Sequence, residues 1–309
     1  MLEQSKRPYI YMLVGCCSFA CMTQCGHAAG QYYDWQLVAI FSSWLVFLFV
    51  GIYAFSRRIS FIWLGNKQLW MRSITGSFSM VTVFYSLSVL PASTVTTLAH
   101  TFPIWVALLS WPMLGKLPGG RVWVCVMFGV VGVYLIEQPT GGSNLFAVVV
   151  ALLGAISTSL AMIGLHRLKQ LNPFAIVVHF SGVAGIICLS TWFLFPRMST
   201  PPPFFHSVHM LQLLGVGVFA AIGQSLLTKA FAGGDPARVS VIGLSQILFS
   251  LIMDVAIMGH QITSYAIVGT SLIIVPTAWL MLERKKPVIS PVAPPKPAPK
   301  PTENLGVAN

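Results

Sequence analysis

The chain alternates long apolar runs with short polar ones. Ten runs are each long enough for a helix to cross a hydrocarbon core of about 30 Å. They fall at 9–30, 35–55, 69–90, 92–114, 121–138, 145–166, 174–195, 210–231, 237–258 and 264–282. This pattern predicts an all-α integral membrane protein with about ten transmembrane helices. The breaks between runs carry turn-forming residues, as in the PTGGSN stretch at 139–144 and the triple proline Pro201-Pro202-Pro203. The first run follows Lys6 and Arg7 and is too long for the apolar core of a secretory leader. It therefore reads as the first helix.

The layout occurs twice. Residues 85–116 and 229–260 each hold a helix end, a tight proline turn, a Ser/Thr-bearing apolar helix and a closing glycine. A shift of 144 residues carries Gly115 onto Gly259 and Val95 onto Val239. Five helices per half is an odd number, so the second half must enter the membrane in the opposite sense. The expected organisation is an inverted pair of five-helix repeats at 9–138 and 145–282, joined by a linker at 139–144. A cytoplasmic segment at 1–8 precedes them. The tail at 283–309 is rich in proline with scattered lysine, a composition that stays extended and disordered.

Composition supports a lipid environment. Apolar residues make up 56% of the chain and charged residues 8%, against about 25% charged in soluble domains. The net charge of +11 comes from residues at run edges, with no contiguous basic face, so nucleic-acid binding is not expected. With the N-terminus inside, Lys6, Arg7, Arg57, Arg58, Lys67, Arg72, Lys116, Arg121, Arg167, Lys169, Lys229, Arg238 and the tail share one side. Asp34, Glu137 and the single basic residue Arg197 take the other. The positive-inside rule then places both termini in the cytoplasm of a protein spanning the plasma membrane.

Catalytic signatures are missing from the sequence. It holds no G-x-x-x-x-G-K-[ST], no H-E-x-x-H, no G-x-S-x-G and no paired carboxylates within a run. No enzyme activity, cofactor or metal is expected. Cys17, Cys21 and Cys25 share a face of the first helix and read as small packing residues.

Polar side chains within the runs carry the candidate chemistry, because they are costly in lipid and turn toward the bundle interior. In the third helix Thr75, Ser79, Thr82 and Ser86 form one stripe. It either lines a cavity or bonds its own helix carbonyls. The fourth holds Thr94, Thr96, Thr97, His100 and Thr101, just before Pro103. That proline removes a helical hydrogen bond and predicts a kink. In the ninth, Gln246, Ser250 and Asp254 recur every four residues, with Asp254 about one turn from the outer end. Gln224 and Thr228 share a face of the eighth, beside Lys229, which is expected to snorkel to the interface. The candidate solute-binding set is Thr82, Tyr85, Thr97, His100, Thr101, His179, Gln224, Ser245, Gln246 and Asp254. No Arg or Lys is expected in the central part of a span. This favours a neutral, zwitterionic or amphipathic solute over a nucleotide or sugar phosphate.

Phe84-Tyr85-Ser86-Leu87, Leu90-Pro91-Ala92, the run from Thr101 to Leu108 and Gly115 together resemble the EamA type of the drug/metabolite transporter superfamily. Gln224, Pro236 and Gly259 carry the likeness in the second copy, and the resemblance covers about 9–282. It implies ten helices around a central cavity, alternating access, and small organic solutes as cargo. Lys116 and His260 stand where the family often has glutamate, and Ser42 and Ser43 where many members carry arginine. No acidic residue lies within 9–30 or 145–166, so the proton exchange of small multidrug-resistance relatives does not carry over. The expected function is secondary transport of an amino-acid-like or drug-like metabolite, with the solute and the bilayer as partners. The alternative is a receptor or scaffold that acts through the tail without transport. The oligomeric state is left open, a monomer included.

Overall fold

The computed structural model describes residues 6–30, 32–64, 66–87, 90, 92–115, 117–137, 144–194, 207–258 and 263–282. The proline-rich tail, Pro91, Ser143 and the side chains of Thr97 and Asp254 lie outside the described set.

The described residues form twelve helices. In the first half these are α1 (Arg7–Gly30), α2 (Trp35–Ser56), α3 (Lys67–Leu87), α4 (Ala92–Ala99), α5 (Phe102–Leu114) and α6 (Gly120–Glu137). In the second they are α7 (Leu145–Arg167), α8 (Pro173–Leu194), α9 (Ser207–Gly233), α10 (Pro236–Gly243), α11 (Ser245–Met258) and α12 (Ser264–Leu282). The pairs α4–α5 and α10–α11 are each one traverse broken part-way, so twelve helices make ten crossings. Six helical stretches are long and apolar enough to cross a membrane alone, and α5 and parts of α6 and α12 are shorter apolar helices.

Local sequence sets the helix ends. The Asn144 side chain accepts from the Ala147 amide at the start of α7 (3.1 Å). Asp235 does the same for Arg238 at α10 (3.1 Å), with Pro236 in the first turn. Gly115 closes α5 with φ +65°, a left-handed conformation that glycine adopts without strain.

Packing interlocks the two halves. The first helix of each half lies antiparallel to the third helix of the other. In the α1–α9 pair, Ser18 donates to the Phe219 carbonyl (2.8 Å) and Gly215 meets Cys25. In the α3–α7 pair, Ser157 donates to the Thr75 carbonyl (2.8 Å) and Ser86 to that of Ala147 (3.3 Å). The pairs α2–α8 and α6–α12 are each made of equivalent helices. Trp44 meets Gly185 in the first, and Cys125 Sγ approaches the Pro276 carbonyl (3.9 Å) in the second. This is the pattern of two oppositely directed copies of one unit.

We call the end where α1 begins proximal and the other end distal. Toward the proximal end one large core runs from Tyr9, Met12 and Cys16 through Leu69, Val122, Leu165 and Ile176 to Phe231, Ala237 and Ile242, with a second cluster of Val50, Ala54, Val177 and Val178 beside it. At the distal end the described buried residues form two clusters, one around Ala29, Tyr33 and Leu213 and another around Leu90, Val95 and Ala147.

Candidate functional site

Two features stand out inside the bundle. The first is the pair of breaks. In the fourth traverse the α-helical ladder stops at His100 and Thr101. The Thr101 amide bonds back only three residues, to Leu98 (3.2 Å). Pro103 has no amide proton, so the Ala99 carbonyl loses its usual partner. In the ninth traverse the Leu244 amide bonds the Val241 carbonyl (3.1 Å) and the Ile247 amide that of Leu244 (3.1 Å). These are tight 3₁₀-type turns that interrupt the regular ladder. The repeat shift of 144 carries His100 onto Leu244, so the breaks are equivalent. The sequence predicted the first from Pro103. It missed the second, where only the small residues Gly243 and Ser245 flank the site.

Each break is tied to the first helix of the other half. Ser159 of α7 donates to the Phe102 carbonyl (2.9 Å). Cys16 of α1 donates to the Gly243 carbonyl (3.5 Å). His100 is half-buried, and its Nδ1–H donates to the Thr96 carbonyl (2.9 Å). Nε2 is then the acceptor nitrogen of that ring. Thr101 donates to Leu98 (2.6 Å). Gln246, one residue into α11, is half-buried, and its side chain has no hydrogen-bond partner among the described residues.

The second feature is a polar cluster between α3, α8 and α9. Arg72 is 2% exposed. Its Nη2 donates to Gln224 Oε1 (3.2 Å), and its guanidinium carbon lies 4.0 Å from the centre of the Phe180 ring. Next to it, Ser73 and His179 Nδ1 share a hydrogen bond (2.8 Å), and the Trp70 ring meets His179 edge-on (4.9 Å). Lys229 Nζ lies 4.6 Å from the Phe174 ring centre. The sequence reading put Arg72 with the helix-end charges and left the centre of the spans without a cation. The structure instead folds this side chain inward, because Gly76 opens space over the helix and Gln224 supplies a partner.

The remaining expected residues are dispersed. Thr82 is buried, donates to the Ser79 carbonyl (2.9 Å) and meets Gly154 of α7. Thr75 bonds Met71 in its own helix, and Ser79 bonds Thr158 of α7. The stripe thus serves α3–α7 packing. Ser245 is buried and donates to Ile242 (2.7 Å). Tyr85 is half-buried, edge-on to Phe146 (6.3 Å). The structure joins Gln224 to Arg72 and His179 to Ser73. It places His100 and Thr101 at one break, and Ser245 and Gln246 beside the other.

Ten apolar traverses in two interlocked, oppositely directed halves, each with one traverse broken part-way, define a multi-pass membrane protein built as a transporter. The sequence profile of the EamA-like transporter family matches residues 6–138 and 145–282. The chain belongs to that family. Among relatives, an uncharacterized transporter of Helicobacter pylori is 26% identical over 61% of this chain and 64% of its own length. The pseudopaline exporter CntI of Pseudomonas aeruginosa is 28% identical over 60% and 64%. Solute carrier family 35 member G1 of Mus musculus is 19% identical over 74% and 66%. The chain thus spans just under two thirds of the length of the first two. A solved crystal structure of 14% identity has the same fold, with a TM-score of 0.78 over 89% of this chain and 98% of its own.

Proposed function

We propose that this chain is a secondary transporter that moves a small organic solute, amino-acid-like or drug-like, across the plasma membrane by alternating access. The observation that carries the reading is the pair of equivalent breaks, each tied to the first helix of the other half. Breaking a helix inside a membrane frees backbone groups that a solute can engage, and a cost of that kind is tolerated where it lines a path. At the proximal end seven of the eight residues of α10 are buried. The cavity between α5, α7 and α10, lined by Ser110, His166 and Asp235, holds about 30 Å³, room for a single water. Among the described residues the distal clusters are small and separate. In this reading the carrier is closed at its proximal end, where Gly243 at the end of α10 packs against Met12 and Phe102.

In this reading His100 and Gln246 face the solute. Purified protein in proteoliposomes, screened with radiolabelled amino acids and amphipathic amines, tests it. His100→Leu and Gln246→Leu each lower flux several-fold while folded protein is retained. Unchanged flux in both removes them from the path. No flux of any solute, with a partner captured through the tail, supports the receptor reading instead. Orientation has its own check. A thiol probe labels Ser143→Cys from outside and Ser290→Cys only after permeabilisation; the reverse pattern contradicts cytoplasmic termini.

A further inference from the structure

We propose that Arg72 is the anchor for a carboxylate on the transported solute. The inference rests on the carrier reading above and names the chemical class of its cargo.

The argument starts from where the charge sits. α3 enters at the proximal end, and Arg72 lies in its second turn. Two ordinary tendencies would carry its guanidinium back to that end. Helical side chains lean toward the helix N-terminus, and an arginine near a span end snorkels to the interface. Arg72 does the opposite. A Cβ built on Gly76 collides with Arg72 Nη1 and comes within 2.9 Å of Phe180 Cε2. The guanidinium therefore lies over Gly76, one turn deeper into the bundle. Gly76 is nine residues into α3, and its partner Gln224 is nine residues before the end of α9. At 1.5 Å per residue, both positions lie about 13 Å from the proximal helix ends. Both positions thus lie about two and a half turns in from the helix ends.

Arg72 pairs with no carboxylate among the described residues, and Nε has no hydrogen-bond partner. Thr228, one turn from Gln224 on the same helix, also has a fully buried hydroxyl without a partner. A neutral amide and an aromatic face are weak compensation for a desolvated guanidinium. The planar fork fits a carboxylate with two parallel hydrogen bonds. A single buried charge also matches a monovalent carboxylate better than a doubly charged phosphate. The cluster is a half-built ion pair, and the solute supplies the other half.

The test uses full-length purified protein in detergent, read by thermal unfolding. The probes are the proteinogenic amino acids, each paired with its carboxamide, and inorganic phosphate. At least one acid stabilises the wild type while its carboxamide does not. Arg72→Gln raises the half-saturating concentration of that acid by at least about ten-fold. Gly76→Ala keeps the charge but crowds the guanidinium off its seat. It weakens the response likewise, and decides the matter if Arg72→Gln does not fold. Without solute, Arg72→Gln unfolds at the same temperature as wild type or higher, because an unpaired buried charge is gone. The proposal is overturned if no acid stabilises, if acid and carboxamide act alike, if phosphate alone acts, or if the variants respond as wild type does. A lower unfolding temperature for empty Arg72→Gln with an unchanged acid response also overturns it, and leaves Arg72 a packing latch. Flux in proteoliposomes keeps the two readings apart. An acid that binds through Arg72 but is not moved upholds the anchor and removes the carrier. A carboxamide moved as fast as its acid, by wild type and Arg72→Gln alike, upholds the carrier and removes the anchor.

Discussion

α4 and α10 are the same half-helix built twice, and they are packed differently. Every residue of α10 except Arg238 is buried. Of the four α4 residues whose burial is described, Val95 is buried, while Thr96, Leu98 and Ala99 are half-buried. The sequences follow one plan, so helix propensity does not explain the contrast. Position does. The repeats are inverted, and the two half-helices sit at opposite ends of the bundle. α10 lies in the large proximal core, its Gly243 against Met12 of α1 and Phe102 of α5. α4 lies at the distal end, in a cluster of a few residues with α7. In a carrier that alternates, the two half-helices exchange these environments.

The largest effect is expected at the buried break. Leu244 is fully buried against Val133, Ile247 and Ile273. Leu244→Ala should cost about 2–5 kcal/mol and lower the unfolding temperature by several degrees. Its half-buried counterpart His100→Ala should cost about 1 kcal/mol or less. Equal losses at the two positions would break the comparison.

A smaller effect should come from crowding the seal. A Cβ on Gly243 would meet Met12 Cε at 2.8 Å and Phe102 Cζ at 3.2 Å. Gly243→Leu should disfavour the closed proximal end by about 1–3 kcal/mol. Ala99 stands at the equivalent position under the repeat shift and is half-buried. Ala99→Leu should leave that end unchanged. Proteolytic nicking near Gly234, compared between the two variants, reads the difference.

The smallest effect concerns the tie between the halves. Ser159→Ala removes the hydrogen bond to the Phe102 carbonyl. It should cost about 0.6 kcal/mol, the mean for such bonds in a membrane protein. A double mutant with Gly243→Leu shows whether the two act on one closed state, since coupled sites depart from additivity.

Much of this architecture is legible in the chain because lipid imposes one rule on every span. Apolar run length, the odd helix count per half and the 144-residue shift lead to the interlocked bundle. The site is less legible. The run 237–258 reads as one unbroken helix, because no proline marks the turn at Leu244 as Pro103 marks its partner. Arg72 reads as a helix-end charge, because depth was judged from its own run alone. Its inward fold depends on Gly76, four residues on, and on Phe180 and Gln224 from other helices. The Thr75, Ser79, Thr82 and Ser86 stripe has the same spacing whether it faces a cavity or a neighbouring helix. Only the partners Thr158 and Ala147 on α7 distinguish the two.

The most direct test of one-sided closure uses equivalent positions at the two ends. Thr96 and Ser240 are related by the repeat shift; the first is half-buried and the second fully buried. Thr96→Cys and Ser240→Cys are placed singly in protein whose six cysteines are replaced. A small hydrophilic thiol reagent is then added in detergent, where it reaches both ends. The account predicts faster labelling at Thr96→Cys, with Gly243→Leu slowing that site and speeding Ser240→Cys. Equal rates at the two sites, unmoved by Gly243→Leu, would contradict it.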